Sequence, residues 1–307
     1  MYLTIKRSIV LFLLLAFAIS FIACNQNAPE STNSSDIVSP DLQISDDYLI
    51  NGFAVGTQSY TFNRFSAFES IEKTAEAGGR VIEIYPGQRF KADDDTQFHA
   101  ISDAQIDELK EKLREHDIKL VNYGVARMSN PDEARAVFEF ASKLGVPAVT
   151  SNPNTHEEMD FIEELVKEFD IMMAIHNHPR PEDPESDYMI WDPNHVADLL
   201  DSRDPRLGIC ADTGHWVRSG ISPVDALKIS EGRIISLHMK DVEAYDREAE
   251  DVVFGTGVGD ASGVLQELRR QNFAGHISIE YEANWYENVP EVAQNVGFIR
   301  GWSAAKQ

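Results

Sequence analysis

From residue 53 to the C-terminus, short runs of β-branched and apolar residues alternate with segments whose apolar residues recur every three or four positions, and this alternation narrows the fold more than any other feature. The runs at 53–62 (FAVGTQSYTF), 81–85, 119–126, 148–151, 171–176, 207–212, 234–238 and 276–281 read as strands. Between them, one helical face is formed by Phe68, Ile71 and Ala75, and others by Ile106, Leu109 and Leu113, by Ala134, Val137, Phe138 and Ala141, and by Ile162, Leu165, Val166 and Phe169. Pro290 opens a last helix bearing Val292, Val296 and Ile299. Eight strands alternating with helices over residues 47–307 predict a single-domain α/β fold, a (β/α)8 TIM barrel; an open doubly wound sheet is the competing arrangement.

In such a barrel the chemistry sits at the C-terminal ends of the strands. The last four strands end in IHNHP (His176, Asn177, His178), ADTGHW (Asp212, His215, Trp216), LHMKD (His238, Lys240, Asp241) and IEYE (Glu280, Glu282). His176, Asp212, His238 and Glu280 are all metal-ligand types, spaced by 36, 26 and 42 residues, about one βα unit per step. Strand ends at that spacing converge in space, and a mixed nitrogen and oxygen set suits one divalent ion such as Mn, Co, Zn, Fe or Mg. Each residue also has a plainer role open to it: a hydrogen-bonded core histidine, a strand-end carboxylate, or, for Asp212, a helix cap or Asx-turn.

The N-terminus has the layout of a secretory signal: Lys6 and Arg7, then an apolar run over 9–23, then Cys24. The stretch Phe21-Ile22-Ala23-Cys24 resembles a bacterial lipobox, which implies a signal peptide over 1–23, lipid on Cys24 and an extracytoplasmic, membrane-anchored lipoprotein. Residues 24–46, rich in Ser, Asn, Gln, Pro and Asp, read as a flexible tether. With Cys24 lipidated, Cys210 has no disulfide partner and is expected as a small buried strand residue. A formal net charge of −24 repels phosphate backbones and argues against nucleic-acid binding.

On DTGHW, LHMKD and IEYE, supported by VGTQSYTF near residue 55 and GTGVGD at 255–260, the chain resembles the xylose isomerase-like superfamily of sugar phosphate isomerases and epimerases. That resemblance implies a metal held by Asp212, His238 and Glu280, with His215 and Lys240 near the substrate. At the fifth strand, where the epimerases of this type carry Glu-Asn, this chain has His176-Asn177. His176 can still hold a metal, but symmetric epimerisation between two facing carboxylates does not carry over.

The expected function is therefore a metal-dependent sugar isomerase or epimerase. Proton abstraction next to a carbonyl of an unphosphorylated sugar or keto-sugar gives an enediolate that the metal stabilises. Glu280 is the expected base, with His178, His215 and Lys240 as acids. Glu83, in IEIYPGQ, reads as a hydroxyl-binding carboxylate at the rim, and Tyr123, Trp216, Trp285 and Glu282 as further substrate contacts. A keto-glycoside lyase or hydrolase using the same intermediate, and a non-catalytic sugar-binding lipoprotein, are the alternatives. A phosphoester hydrolase is disfavoured, because the early strands offer little beyond Glu83. The glycine run 255–259 reads as a turn leading to Asp260 as a helix N-cap rather than as a phosphate loop.

Overall fold

A computed structural model of the chain describes residues 40–305. The expected signal peptide, Cys24 and most of the expected tether lie outside the described residues. Eight parallel strands close into a barrel: β1 (Phe53–Gln58), β2 (Val81–Ile84), β3 (Lys119–Tyr123), β4 (Ala148–Ser151), β5 (Met172–His176), β6 (Leu207–Asp212), β7 (Ile234–Met239) and β8 (His276–Ile279). Each pairs with the next in sequence, and β8 closes on β1 with His276 opposite Ala54 and Ile279 opposite Thr57. The strands match the sequence expectation, with shorter ends. The run 53–62 leaves the sheet at Gln58 and turns into a 3-10 helix, Ser59–Phe62, while Glu280 falls just past β8 rather than within it.

The helices on the outside are α1 (Ala67–Glu76), α2 (Asp103–Glu115), α3 (Pro131–Leu144), α4 (His156–Phe169), α5 (Pro193–Leu200), α6 (Thr213–Arg218), α7 (Pro223–Ile229), α8 (Ala261–Arg270) and α9 (Val289–Ala305). Their starts are written locally: Ser66 with Glu69, Ser102 with Gln105 and Thr155 with Glu158 form reciprocal capping boxes, each pairing helix-end N–H groups that would otherwise lack partners. Outward-facing Val55, Ile82, Leu120, Val149, Ile175, Ile209, Leu237 and Ile277 pack beneath these helices in one continuous apolar layer. Each such side chain contributes about 1.5–3 kcal/mol on full burial.

Inside the barrel the character changes with height. At the base, Ala148, Ala174, Cys210 and Ile235 are plugged from below by Leu42, and Ala54, Val81 and Val121 meet Ile44, Tyr48 and Leu49. The strand between Asp41 and Ala274 is a single parallel bridge, so residues 41–44, from the end of the stretch read as a tether, run under the barrel floor. Cys210 is fully buried in β6, as expected. Gly56 belongs to the same narrow interior: a Cβ there would lie 1.6 Å from the Val81 carbonyl oxygen, so only glycine lets β2 approach. Above the floor the lining turns polar, through Asn122, Thr150, Glu83, His276 and Ser278, all buried.

Candidate metal centre and cavity

The four expected ligands meet at the top of this polar column. One donor atom each from His176 (end of β5), Asp212 (end of β6), His238 (β7) and Glu280 (just past β8) lie within 4.8 Å of one another, and all four residues are buried. The parallel register produces the convergence, since His176 lies beside Cys210, two residues below Asp212, and Asp212 lies beside His238.

Neighbouring residues hold the donors in place. Asn177 and Asp212 clasp each other across β5 and β6: the Asn177 side-chain amide donates to the Asp212 carbonyl at 3.0 Å, and the Asp212 N–H donates to Asn177 Oδ1 at 2.8 Å. Asp212 does two jobs at once. Its Oδ1 accepts the His215 N–H at 2.7 Å and caps α6, while its Oδ2 faces His176 at 3.4 Å and Lys240 at 2.7 Å. The plain helix-cap role and the ligand role are thus served by different oxygens. Glu83 does not stand at the rim as expected. It is fully buried beneath the cluster, where its Oε2 lies 2.9 Å from His238 Nε2 and also accepts from Ser278 Oγ at 3.3 Å. The Glu83 carboxylate on Nε2 orients the ring so that Nδ1, 3.3 Å from Glu280 Oε2, faces the cluster.

Lys240 is the cation of the centre. Its ammonium lies 2.7 Å from Asp212, 2.5 Å from Glu280 and 2.8 Å from Glu282. Burial alone would strip the Lys240 proton, but the three carboxylates hold it on and raise its affinity well above the ordinary value. Burial would likewise lift Glu280, yet Lys240 and His238 hold its carboxyl far below the usual range. Asp212, lifted by burial, is pulled well below its usual value by His215 and Lys240. Burial keeps three of the histidines neutral, lowering His176 and His215 and taking His178, with help from His176, down to about 3, whereas Cys210, Glu83 and Glu280 overcome burial at His238 and raise it well above its ordinary value.

A cavity of about 420 Å3 opens over the cluster, lined by Gln58, Tyr60, Tyr85, Val125, His176, His178, His215, Glu280 and Glu282. The His178 and His215 rings stack with centroids 5.5 Å apart. His178, His215, Glu280 and Glu282 are therefore placed at the cavity as expected, with Lys240 directly beneath. Tyr123 and Trp216 are not. Tyr123 packs outward between Phe98 and Phe140, because it leaves the end of β3 on the helix-facing side, and Trp216, within α6, is wholly buried in the apolar layer. Gln58, Tyr60 and Tyr85 were missed by sequence reasoning, although Tyr60 follows directly from the end of β1. The glycine run is no phosphate loop: the N–H groups of Gly255, Gly257 and Gly259 donate to the chain's own Asp241 carboxylate at 2.9, 3.1 and 2.8 Å, and Asp260 caps α8.

The residues fit a divalent metal on their own chemistry. Both ring nitrogens of His176, and Nδ1 of His238, are buried without a hydrogen-bond partner, a costly state for imidazole unless something binds them. Two imidazoles and two carboxylates make the mixed set that divalent transition metals favour.

Comparison with known proteins agrees with this geometry. The chain is 32% identical to an uncharacterised protein of Parabacteroides distasonis of known structure, covering 81% of this chain and 99% of that one with a TM-score of 0.65. It is 23% identical over 267 residues to the 3-oxo-isoapionate decarboxylase of Pectobacterium atrosepticum, covering 78% of this chain and 90% of the relative. The IolI protein, solved with a zinc atom bound, shares the fold at 17% identity and a TM-score of 0.62, over 83% of this chain and 99% of that one. The sequence profile of one family matches residues 71–302, and the chain belongs to that family, the xylose isomerase-like TIM barrels.

Proposed function

We propose that this protein is a metal-dependent enzyme that removes the proton beside a carbonyl of an unphosphorylated sugar or keto-sugar, as an isomerase or epimerase does. The carrying observation is the convergence of His176, Asp212, His238 and Glu280 on the floor of a cavity that two neutral histidines overlook. The four residues would hold the ion, which supplies the positive charge that stabilises an oxyanion developing on the substrate. Glu280 takes the proton, and His178 and His215, unprotonated imidazoles facing the cavity, pass it on. Its pairing with Lys240 keeps the Glu280 carboxylate ionised. Glu282 orients the substrate hydroxyls at the wall, held from beneath by Lys240. None of the residues lining the cavity is Arg or Lys, so a phosphate would face carboxylates and neutral rings.

The decarboxylase relative favours a second reading, cleavage of a bond next to a keto group. Loss of a proton and loss of carbon dioxide leave the electron pair on the same kind of carbon, adjacent to the carbonyl, so one centre supports both. The fold mate with zinc supports the metal assignment. We further infer, from the sequence at 1–24 alone, that lipid on Cys24 anchors the chain outside the cytoplasm; an alkyne-palmitate label retained in Cys24→Ala would refute this.

The function is tested by measuring metal in the purified protein and incubating it with keto-sugars and 3-keto-glycosides in deuterated water. One ion per chain, lost in Asp212→Ala, and deuterium entering the carbon beside the carbonyl are expected. Wild-type protein without metal, or with metal but without exchange or cleavage of any keto-sugar, would leave the proposal without support.

A further inference from the structure

We propose that the protein binds a second sugar ring outside the reaction cavity, on Trp285 and Tyr286, and that its substrate is a glycoside of two or more rings. This rests on the sugar reading above and extends it. The loop after β8 is shared between two hollows. Its first residues, Glu280 and Glu282, line the reaction cavity; the following Asn284, Trp285, Tyr286 and Glu287, with Glu291 of α9, line a neighbouring one of about 460 Å3.

The two hollows are joined by aromatic rings. Tyr85 and Tyr60 line the inner cavity with centroids 5.3 Å apart, and Tyr60 meets Trp285 of the outer one edge to face at 6.0 Å. Tyr286 is braced by Phe65 at 6.4 Å, and the Arg64 guanidinium lies 5.8 Å from the Trp285 ring centre. Tyr60 is 39% exposed and Tyr286 70%, so the chain presents apolar ring surface to solvent along this path.

Sugars suit such a surface, because a pyranose offers an apolar C–H face to a ring and hydroxyl groups around its edge. Acceptors for those hydroxyls stand beside the rings. Glu291 Oε1 takes the Asn284 amide at 2.8 Å, while Oε2 is buried with no partner. Glu287 and Glu291 line the outer hollow, and the one guanidinium nearby, Arg64, lies over the Trp285 ring, which suits a neutral second ring with hydroxyl groups.

The test compares binding by calorimetry to the purified full-length protein of methyl glucoside against cellobiose and maltose, methyl galactoside against lactose, and methyl mannoside against mannobiose. At least one disaccharide is expected to bind about tenfold more tightly than its single-ring partner, as one stacked ring contributes. Trp285→Ala and Tyr286→Ala each bring that ratio to within about twofold of unity, whereas Tyr286→Phe keeps it. The proposal is overturned if no pair differs by more than twofold, or if the gain survives both alanine variants. Repeating the titrations after chelation separates the two ideas. A gain that persists without proton exchange in any sugar refutes only the proposed chemistry, and exchange in single-ring sugars with no gain refutes only the second site.

Discussion

Replacing Asp241 with alanine removes the centre around which the loop before α8 is wound. Its Oδ2 accepts the N–H groups of Gly255 and Gly257, and its Oδ1 those of Gly259 and Val242, at 2.8 to 3.1 Å. The Gly255 and Gly257 groups are half-buried and can turn to water. Those of Gly259 and Val242 are buried, and each costs about 1–3 kcal/mol when left unpaired. The expected loss is therefore about 4 kcal/mol, a large fraction of the roughly 5–15 kcal/mol that stabilises a typical folded protein. The winding is tight enough to need glycine at 257, where a Cβ would come within 2.4 Å of the Asp241 carboxylate and 2.3 Å of the Val242 carbonyl. Urea unfolding followed by circular dichroism reads the loss as a lower midpoint at unchanged slope. Asp241→Asn, which keeps one acceptor oxygen, falls between the alanine variant and the wild type. A loss below about 1 kcal/mol in Asp241→Ala would show that the loop holds its shape without the carboxylate and that its buried N–H groups find other partners.

Glu83→Gln should weaken metal binding about 10- to 100-fold, because it loosens the orientation of the His238 ring rather than removing a ligand; calorimetric titration of the chelated protein reads this, and an unchanged affinity would refute the orienting role. Lys240→Met leaves Asp212, Glu280 and Glu282 without their cation, at a cost of about 3–5 kcal/mol. The variant's melting temperature should therefore rise more on adding Mn2+ than that of the wild type, and equal rises would count against a shared site. Burial holds His276 down to about 4, so the unfolded chain binds the extra proton first and stability is lost as the pH falls from about 6.5 towards 4. His276→Gln should flatten melting temperature against pH in that window, and a slope identical to wild type would contradict the assignment.

The barrel was legible because each strand is a short apolar run between helices whose spacing and caps are local properties, as with Ser66 and Glu69. The candidate cluster was legible for the same reason: His176, Asp212, His238 and Glu280 stand at the ends of consecutive strands, and parallel register brings strand ends together. What a side chain faces was less so. Tyr123 ends β3 just as His176 ends β5, and Trp216 follows β6 within one turn, yet the pleat sends Tyr123 and the α6 helix sends Trp216 outward into the apolar layer. Glu83 was read as a rim group because its strand ends near it; its depth depends on register with β1 and β3, which no local pattern records. Tyr60 and Tyr85 face each other only once β1 and β2 are paired.

The divided carboxylate of Asp212 makes α6 a reporter on the centre. Whatever binds Oδ2 withdraws electron density from Oδ1, two bonds away, and the His215 N–H hydrogen-bonded there must register it. The amide resonance of His215 therefore reads site occupancy without any probe being added. The same arrangement means that position 212 cannot be redesigned one task at a time: asparagine could keep the helix start but offers the cluster no anion, and glutamate could reach the cluster only by giving up the helix.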